Sequence, residues 1–201
     1  MVPPAPARTR TPSIGMETAL VDAALELLEE EGPEALSVRR IAAAAGVAPM
    51  GVYNHFSSKA GIIEALFVEG FQRLGEAMVT LNDISDPEEA LLEGGRRYRA
   101  LALAHPMVYR LMFLQAVAGF EPSDEAKVLA ARAFGGLVAV VDRGMGSGVI
   151  APGDPEMTAQ MIWSSIHGWV ALELCGIGFV DDPDTGADLL CTTMLAGLRP
   201  G

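Results

Sequence analysis

The sequence predicts an all-α fold of about nine helices. Three observations carry that prediction. Half of the 201 residues are apolar, with many Ala and Leu and few β-branched runs, a composition that favours helices. Apolar residues recur at three- and four-residue spacing along most of the chain, and no useful length alternates with the period of two that a strand requires. Prolines and glycines cluster at intervals that cut the chain into helix-sized pieces. One or two domains fit this length, a sizeable core can be buried, and no internal repeat of roughly 20–50 residues is visible.

Residues 1–12 hold four prolines and few apolar groups, and are expected to be a disordered arm. Arg8 and Arg10 either reach DNA phosphates or the minor groove, or belong to a solvated tail. The first helix is expected from about Ser13 to Glu31, with Ala19, Leu20, Ala23, Ala24, Leu27 and Leu28 as its inward stripe and Gly32-Pro33 as its stop. The Glu29-Glu30-Glu31 run sits where the helix dipole disfavours anions, and the sequence offers no functional account of it.

Leu36 to Phe56, LSVRRIAAAAGVAPMGVYNHF, contains two short helical patterns with a tight break. Val38, Ile41, Ala42 and Ala45 share one helix face, and Ser37 is placed to cap it. Gly46 stands where a helix ends in the left-handed conformation. Pro49 suits the first turn of the next helix, in which Val52 and Phe56 can pack inward. Helix, short turn with Gly, second helix is the helix-turn-helix pattern, whose second helix enters the DNA major groove. Residues 36–60 carry Arg39, Arg40 and Lys59 and no carboxylate, in a chain of net charge −12. A face opposite phosphates requires that local exception. An αα-hairpin with merely solvated polar residues is the alternative reading.

Ser58 is placed to cap a long helix from Lys59 to about Leu81, with Ile62, Ile63, Leu66, Phe67, Gly70, Phe71 and Leu74 at helical repeat. After a break at Asn82 to Pro87, helices are expected at about 87–104, 106–118, 122–148, 154–177 and 184–198.

The residues Ile41-Ala42, Ala45-Gly46-Val47, Val52-Tyr53-Asn54-His55-Phe56-Ser57-Ser58-Lys59 and Ile62-Ile63 closely resemble the TetR (tetracycline-repressor-like) family of bacterial transcriptional regulators. The resemblance covers roughly residues 16–67. It implies a DNA-binding domain over 13–60 and an effector-binding and dimerisation domain over 61–201. It implies Met50, Gly51 and Asn54 as base-facing positions, and Ser37, Tyr53, His55, Lys59, with Arg39 or Arg40, as phosphate-facing ones. Two departures stand out: Ala48 replaces the usual capping hydroxyl, and Gly51 replaces a frequent Thr or Ser. Met50 can touch a thymine methyl but reads no hydrogen-bond pattern. The family pairs its last two long helices across a twofold axis, which implies a homodimer through 154–177 and 184–198.

Apart from the resemblance, the segment Pro155 to Ile177 carries only Glu156 and Glu173 as charges, so it must be buried on most sides, and a partner subunit covers it naturally. Its stretch Ile162 to Glu173 resembles a sub-group with a Trp-x-x-x-His-Gly motif, here Trp163, His167 and Gly168. His167 is either an effector-binding donor or a core histidine with satisfied ring nitrogens. A small apolar effector is expected among the middle helices, near Tyr98, Met107, Tyr109, Leu111, Met112, Phe113, Gln115, Val117, Phe134, Trp163 and His167. The same aromatic and Met spacing equally describes plain core. Arg96, Arg97 and Arg99 either bind an anionic effector or form a solvated face with counter-charges such as Glu93.

Residues 61–201 hold nine Lys and Arg against nineteen Asp and Glu, a basic face on an acidic body that disfavours non-specific coating of DNA. No apolar run reaches the roughly 20 residues that span a bilayer, and the Pro-rich start is unlike a secretory signal, so the expectation is cytoplasmic, with no membrane partner. Cys175 and Cys191 are expected reduced and buried, and their spacing is unlike a zinc site, so no metal or cofactor is expected. A helical enzyme using Ser164, Ser165, His167, Glu173 and Cys175 is disfavoured, because the middle of an apolar helix offers no free N–H for an oxyanion hole. A ligand-sequestering bundle without DNA binding is the remaining alternative.

Overall fold

The computed structural model describes residues 13–114 and 117–201. The expected arm with Arg8 and Arg10, and Gln115, lie outside the described residues. The described residues form nine α-helices and no strand: α1 (Ser13–Glu31), α2 (Val38–Ala44), α3 (Pro49–His55), α4 (Lys59–Val79), α5 (Pro87–Ala104), α6 (Pro106–Phe113), α7 (Asp124–Gly146), α8 (Pro155–Leu174) and α9 (Pro183–Gly197). No helix among them is long and apolar enough to cross a membrane.

Helix starts follow local chemistry. The carboxylates of Asp86, Asp154 and Asp182 each accept from a backbone N–H of the next turn, and each is followed by a proline at the first helical position. Proline loses nothing there, and each cap contributes about 1 kcal/mol. The Ser123 hydroxyl accepts from the Ala126 N–H, which starts α7 two residues later than the sequence pattern predicts. α4 gives way at Thr80–Asp83 to a 3-10 turn, and the Asn82 and Leu81 carbonyls there accept from Arg143 of α7.

α6 corrects the sequence expectation of a helix over 106–118. It ends at Phe113, although the nearest sequence breaker is Gly119. Its last turn is held by tertiary packing, the Phe113 ring meeting those of Phe71 in α4, Tyr98 in α5 and Trp163 in α8. In α1, Ala19 is exposed and Leu25 rather than Leu27 is buried. Cys191 is buried, but Cys175, where α8 ends, is exposed.

The chain divides into two compact units at Leu66/Phe67. The first encloses Leu20, Leu28, Leu36, Ile41, Val52, Ile62 and Leu66, all fully buried. In the second, α5 packs on α6, α7, α8 and α9, and α8 packs between α7 and α9. α8 and α9 cross where Gly186 faces Trp169. A Cβ on Gly186 would lie 2.5 and 2.6 Å from two carbons of that indole.

The arginines of α5 are tied down rather than offered to an anion. Arg97 donates to Glu93 (2.8 Å), the Ala77 carbonyl and Thr80. Arg96 bonds Asp188 at 3.0 Å. Arg99 grips Glu173 with two bonds of 2.7 and 2.6 Å and reaches Asp184 at 2.6 Å, which locks the end of α8 to the start of α9. Arg99 is only 13% exposed and Glu173 19%. Arg99→Met leaves Glu173 without its cation in a poorly hydrated place, and is expected to cost about 2 kcal/mol. For a chain of this size that lowers the melting temperature by roughly 4–8 °C. Thermal melting checks it, and Glu173→Gln in the same background should recover part of the loss.

Candidate nucleic-acid interface and effector cavity

The two short helices α2 and α3 are built as the local sequence demands. Ser37 is extended, and its hydroxyl accepts from the Arg40 N–H at 3.3 Å. α2 ends with Gly46 at φ +67°, the Gly46 N–H on the Ala43 carbonyl and the Val47 N–H on the Ala42 carbonyl. That pair of bonds is the left-handed helix cap that only glycine adopts cheaply. Pro49 opens α3 behind Ala48, which supplies no side-chain cap. Val52 and Phe56 are buried.

The opposite face of α3 is open. Met50 is 67% and Tyr53 54% exposed, and Asn54 is exposed as well. Gly51 and His55 are half-buried. Ser58 caps α4 through the Gly61 N–H at 3.2 Å, which leaves Lys59 exposed in the first turn. Arg39 is exposed. Arg40 forms an ion pair with Glu31 at the end of α1, so the glutamate run has a partner that the sequence did not reveal. That hydrogen bond holds the Arg40 guanidinium pKa above its ordinary value.

The second unit contains a partly open cavity of about 410 Å³. α4 lines it with Phe67, Phe71, Leu74 and Met78, α5 with Gly94, Gly95 and Tyr98, and α6 with Met112 and Phe113. α7 supplies Phe134 and Leu137, α8 Gln160 and Trp163, and α9 Cys191 and Met194. Among the described lining residues none is charged.

Behind this wall lies a polar knot. Nδ1 of His167 is 2.7 Å from the Tyr98 hydroxyl and 2.9 Å from the Tyr109 hydroxyl. The Tyr109 hydroxyl also donates to the His167 carbonyl at 3.3 Å. The rings of Phe113 and Trp163 lie edge-on to the imidazole, at 5.2 and 5.5 Å. Burial raises the Tyr98 pKa and pushes that of Tyr109 up to about 12. Burial also lowers the His167 pKa from its ordinary 6.5.

Comparison with known proteins decides the family. Residues 20–66 match the family described as bacterial regulatory proteins, tetR family, and residues 91–195 match the tetracyclin repressor-like C-terminal domain. The chain belongs to the TetR family. An uncharacterized HTH-type transcriptional regulator of Mycobacterium tuberculosis, Rv0681, is 27% identical over 91% of this chain and 79% of that protein. The HTH-type transcriptional repressor KstR2 of Rhodococcus jostii is 39% identical over 35% of this chain and 34% of its own. A solved protein of unknown function from Rhodococcus sp. RHA1 shares the fold with a TM-score of 0.82 at 24% identity, over 92% of this chain and 96% of that one. The TetR-family regulator PfmR of Thermus thermophilus does so with a TM-score of 0.67 at 23% identity, over 90% and 99%.

As a TetR-family member the chain is a DNA-binding helix-turn-helix transcriptional regulator. Its fold brings Tyr98, Met112, Phe113, Phe134 and Trp163 into the cavity wall. Tyr109 and His167 stand behind that wall, and Met107, Leu111 and Val117 are not among the lining residues. The sequence missed the contribution of α4: Phe67, Phe71 and Leu74 were legible as a helical stripe, but not as cavity lining. It also missed Gly94, Gly95, Gln160 and Met194, which carry no signal beyond helix periodicity. Ser164, named in the enzyme alternative, accepts from Gln160 at 3.0 Å, while His167 is engaged by the two tyrosines.

The knot gives the TetR-family chain a pH dependence of stability. The folded state holds His167 neutral below the pH at which the unfolded chain takes up a proton. The unfolded state therefore binds more protons just below pH 6.5, and stability falls with acidification in that window. The melting temperature is expected to drop between pH 7.5 and 5.5, and His167→Asn should flatten that slope. An unchanged slope in the variant would assign the effect elsewhere.

Proposed function

We propose that this regulator is a ligand-responsive repressor that binds a palindromic operator as a homodimer. In this reading residues 13–60 bind DNA and residues 61–201 receive the effector and dimerise. One observation carries it: α3 presents Met50, Tyr53 and Asn54 to solvent between the capped ends of α2 and α4, in a window without carboxylates. Met50, Gly51 and Asn54 face bases, whereas Ser37, Arg39, Arg40, Tyr53, His55 and Lys59 hold phosphates and set the register. Two such helices, one per subunit, enter successive major grooves with centres about 34–36 Å apart.

Dimerisation runs through α8 and α9. In support, Met157, Met161, Leu172 and Leu189 lie exposed on these helices, apolar side chains that a partner subunit would cover. The Trp163, His167 and Gly168 pattern supports membership of the Trp-x-x-x-His-Gly sub-group. A small apolar effector occupies the cavity, against Tyr98, Met112, Phe113, Phe134 and Trp163. α4 carries the signal, because its first residue, Lys59, is a phosphate contact and its later turns line the cavity. The effector acts only through the difference in its affinity for the free and operator-bound forms.

The test is a footprint on the promoter of the protein's own gene, repeated with apolar ligands. A protected palindrome that is released by one ligand supports the reading. Equal ligand affinity of the free and DNA-bound protein sinks the coupling, and a strictly monomeric protein that ignores every promoter fragment at low salt sinks the whole.

A further inference from the structure

The cavity's polarity identifies the class of molecule that fits it, on the reading that the cavity is the effector site. We propose that it takes an uncharged, ring-containing molecule with one oxygen acceptor, a ketone or hydroxyl, held by the Tyr98 hydroxyl, and that it excludes anions.

The ring follows from the wall. Phe67, Phe71, Phe113, Phe134 and Trp163 surround the space, and Met78, Met112 and Met194 fill between them. Aromatic edges and faces suit planar rings, and thioethers adapt to their outline.

The absence of charge follows from the surroundings. An anion that leaves water needs a cation waiting for it. No described lining residue supplies one. Arg97 and Arg143 are spent on the Ala77 and Leu81 carbonyls, and Arg96 and Arg99 face a neighbouring hollow of about 310 Å³ that shares Gly95, Ile166 and Cys191 with the cavity. There Arg96 is bound to Asp188, and Arg99 to Glu173 and Asp184. Three carboxylates already serve those two guanidinium groups, so an entering carboxylate meets repulsion.

The oxygen acceptor follows from the histidine knot. Tyr98 is the one hydroxyl-bearing side chain among the described lining residues. The Tyr109 proton goes to the His167 carbonyl. Both tyrosine oxygens lie within hydrogen-bond distance of Nδ1, an arrangement satisfied when the neutral imidazole carries its proton on Nδ1 and both oxygens accept. In that tautomer the Tyr98 O–H keeps its proton to give, to the Tyr109 oxygen beside it when the cavity is empty and to the ligand's oxygen when it is filled.

The experiment uses three matched probes on the full-length protein at pH 7: 2-acetylnaphthalene, its apolar isostere 2-isopropenylnaphthalene, and 2-naphthoate. Calorimetry and quenching of tryptophan fluorescence read the binding. The ketone is expected to bind about 100-fold more tightly than the carboxylate, a comparison that requires no variant. The ketone-to-alkene affinity ratio is expected to fall about fivefold to tenfold in Tyr98→Phe, the size of one buried hydrogen bond. Retained alkene binding in the variant shows that its cavity is intact. Naphthoate binding as tightly as the ketone overturns the proposal, as does a ratio that Tyr98→Phe leaves unchanged. Either result leaves the effector cavity standing, whereas failure of all three probes to bind removes the cavity as a site and the proposal with it.

Discussion

A Gly186→Val variant is expected to melt roughly 6–12 °C below the wild-type chain. The reason is the crossing of α8 and α9. A Cβ on Gly186 would sit 2.5 Å from one indole carbon of Trp169 and 2.6 Å from another. The obstacle is the benzo edge of a rigid ring, not the end of a flexible chain, so it cannot swing aside without dragging α8. Two effects oppose each other. Replacing a helical glycine gains up to about 1 kcal/mol of helix propensity, less for a β-branched residue. Forcing side-chain atoms into an occupied space costs typically 1–3 kcal/mol, and more where nothing yields. The clash wins, with a net loss of about 3 kcal/mol, and each kcal/mol moves the melting point by roughly 2–4 °C at this size. The partner is identified by a double-mutant cycle. In a Trp169→Leu background the same valine should cost less than about 1 kcal/mol. Removing that indole sacrifices no internal hydrogen bond among the described residues, because its buried Nε1 has no partner there. If the valine costs the same with and without Trp169, the crossing is not what Gly186 serves.

Operator binding is expected to fall at least about 100-fold in a Tyr53→Ala, Lys59→Ala double variant with unchanged melting. Both side chains are exposed, so neither contributes much to the folded core. Each hydrogen bond to a charged phosphate contributes on the order of 1.5–3 kcal/mol, and the two together account for the loss. The loss of Lys59 should also flatten the salt dependence, since each neutralised phosphate contributes about 0.9 to the slope of log affinity against log salt. Glu31→Gln should move the other way. It frees Arg40 from its ion pair, so affinity for unrelated duplex rises and the salt slope steepens. Gel shifts across a salt series measure both. Full affinity in the double variant would mean that α3 is not the reading helix.

The local rules were legible because their physics is local. Ser37, Gly46 and Pro49 each act through backbone groups within about one turn, so α2 and α3 appear where the sequence puts them. The same holds for the Asp-Pro starts of α5, α8 and α9. The end of α6 at Phe113 was not legible, because no Gly or Pro marks it and the rings packed on Phe113 come from α4, α5 and α8. The three arginines of α5 read as either a site or a solvated face, and only the positions of Glu173, Asp184 and Asp188 showed Arg96 and Arg99 paired across the bundle.

The sequence by itself determined the helices, their caps and the carboxylate-free window around α3, since hydrogen bonds within a turn and apolar periodicity are written in neighbouring residues. Only the tertiary structure decided which apolar stripes enclose a hollow and which merely pack, because identical side chains serve either purpose. It alone brought Tyr98 and Tyr109 onto His167 from 69 and 58 residues away. A hydrogen bond across that separation depends on where whole helices come to rest, and no spacing along the chain encodes it.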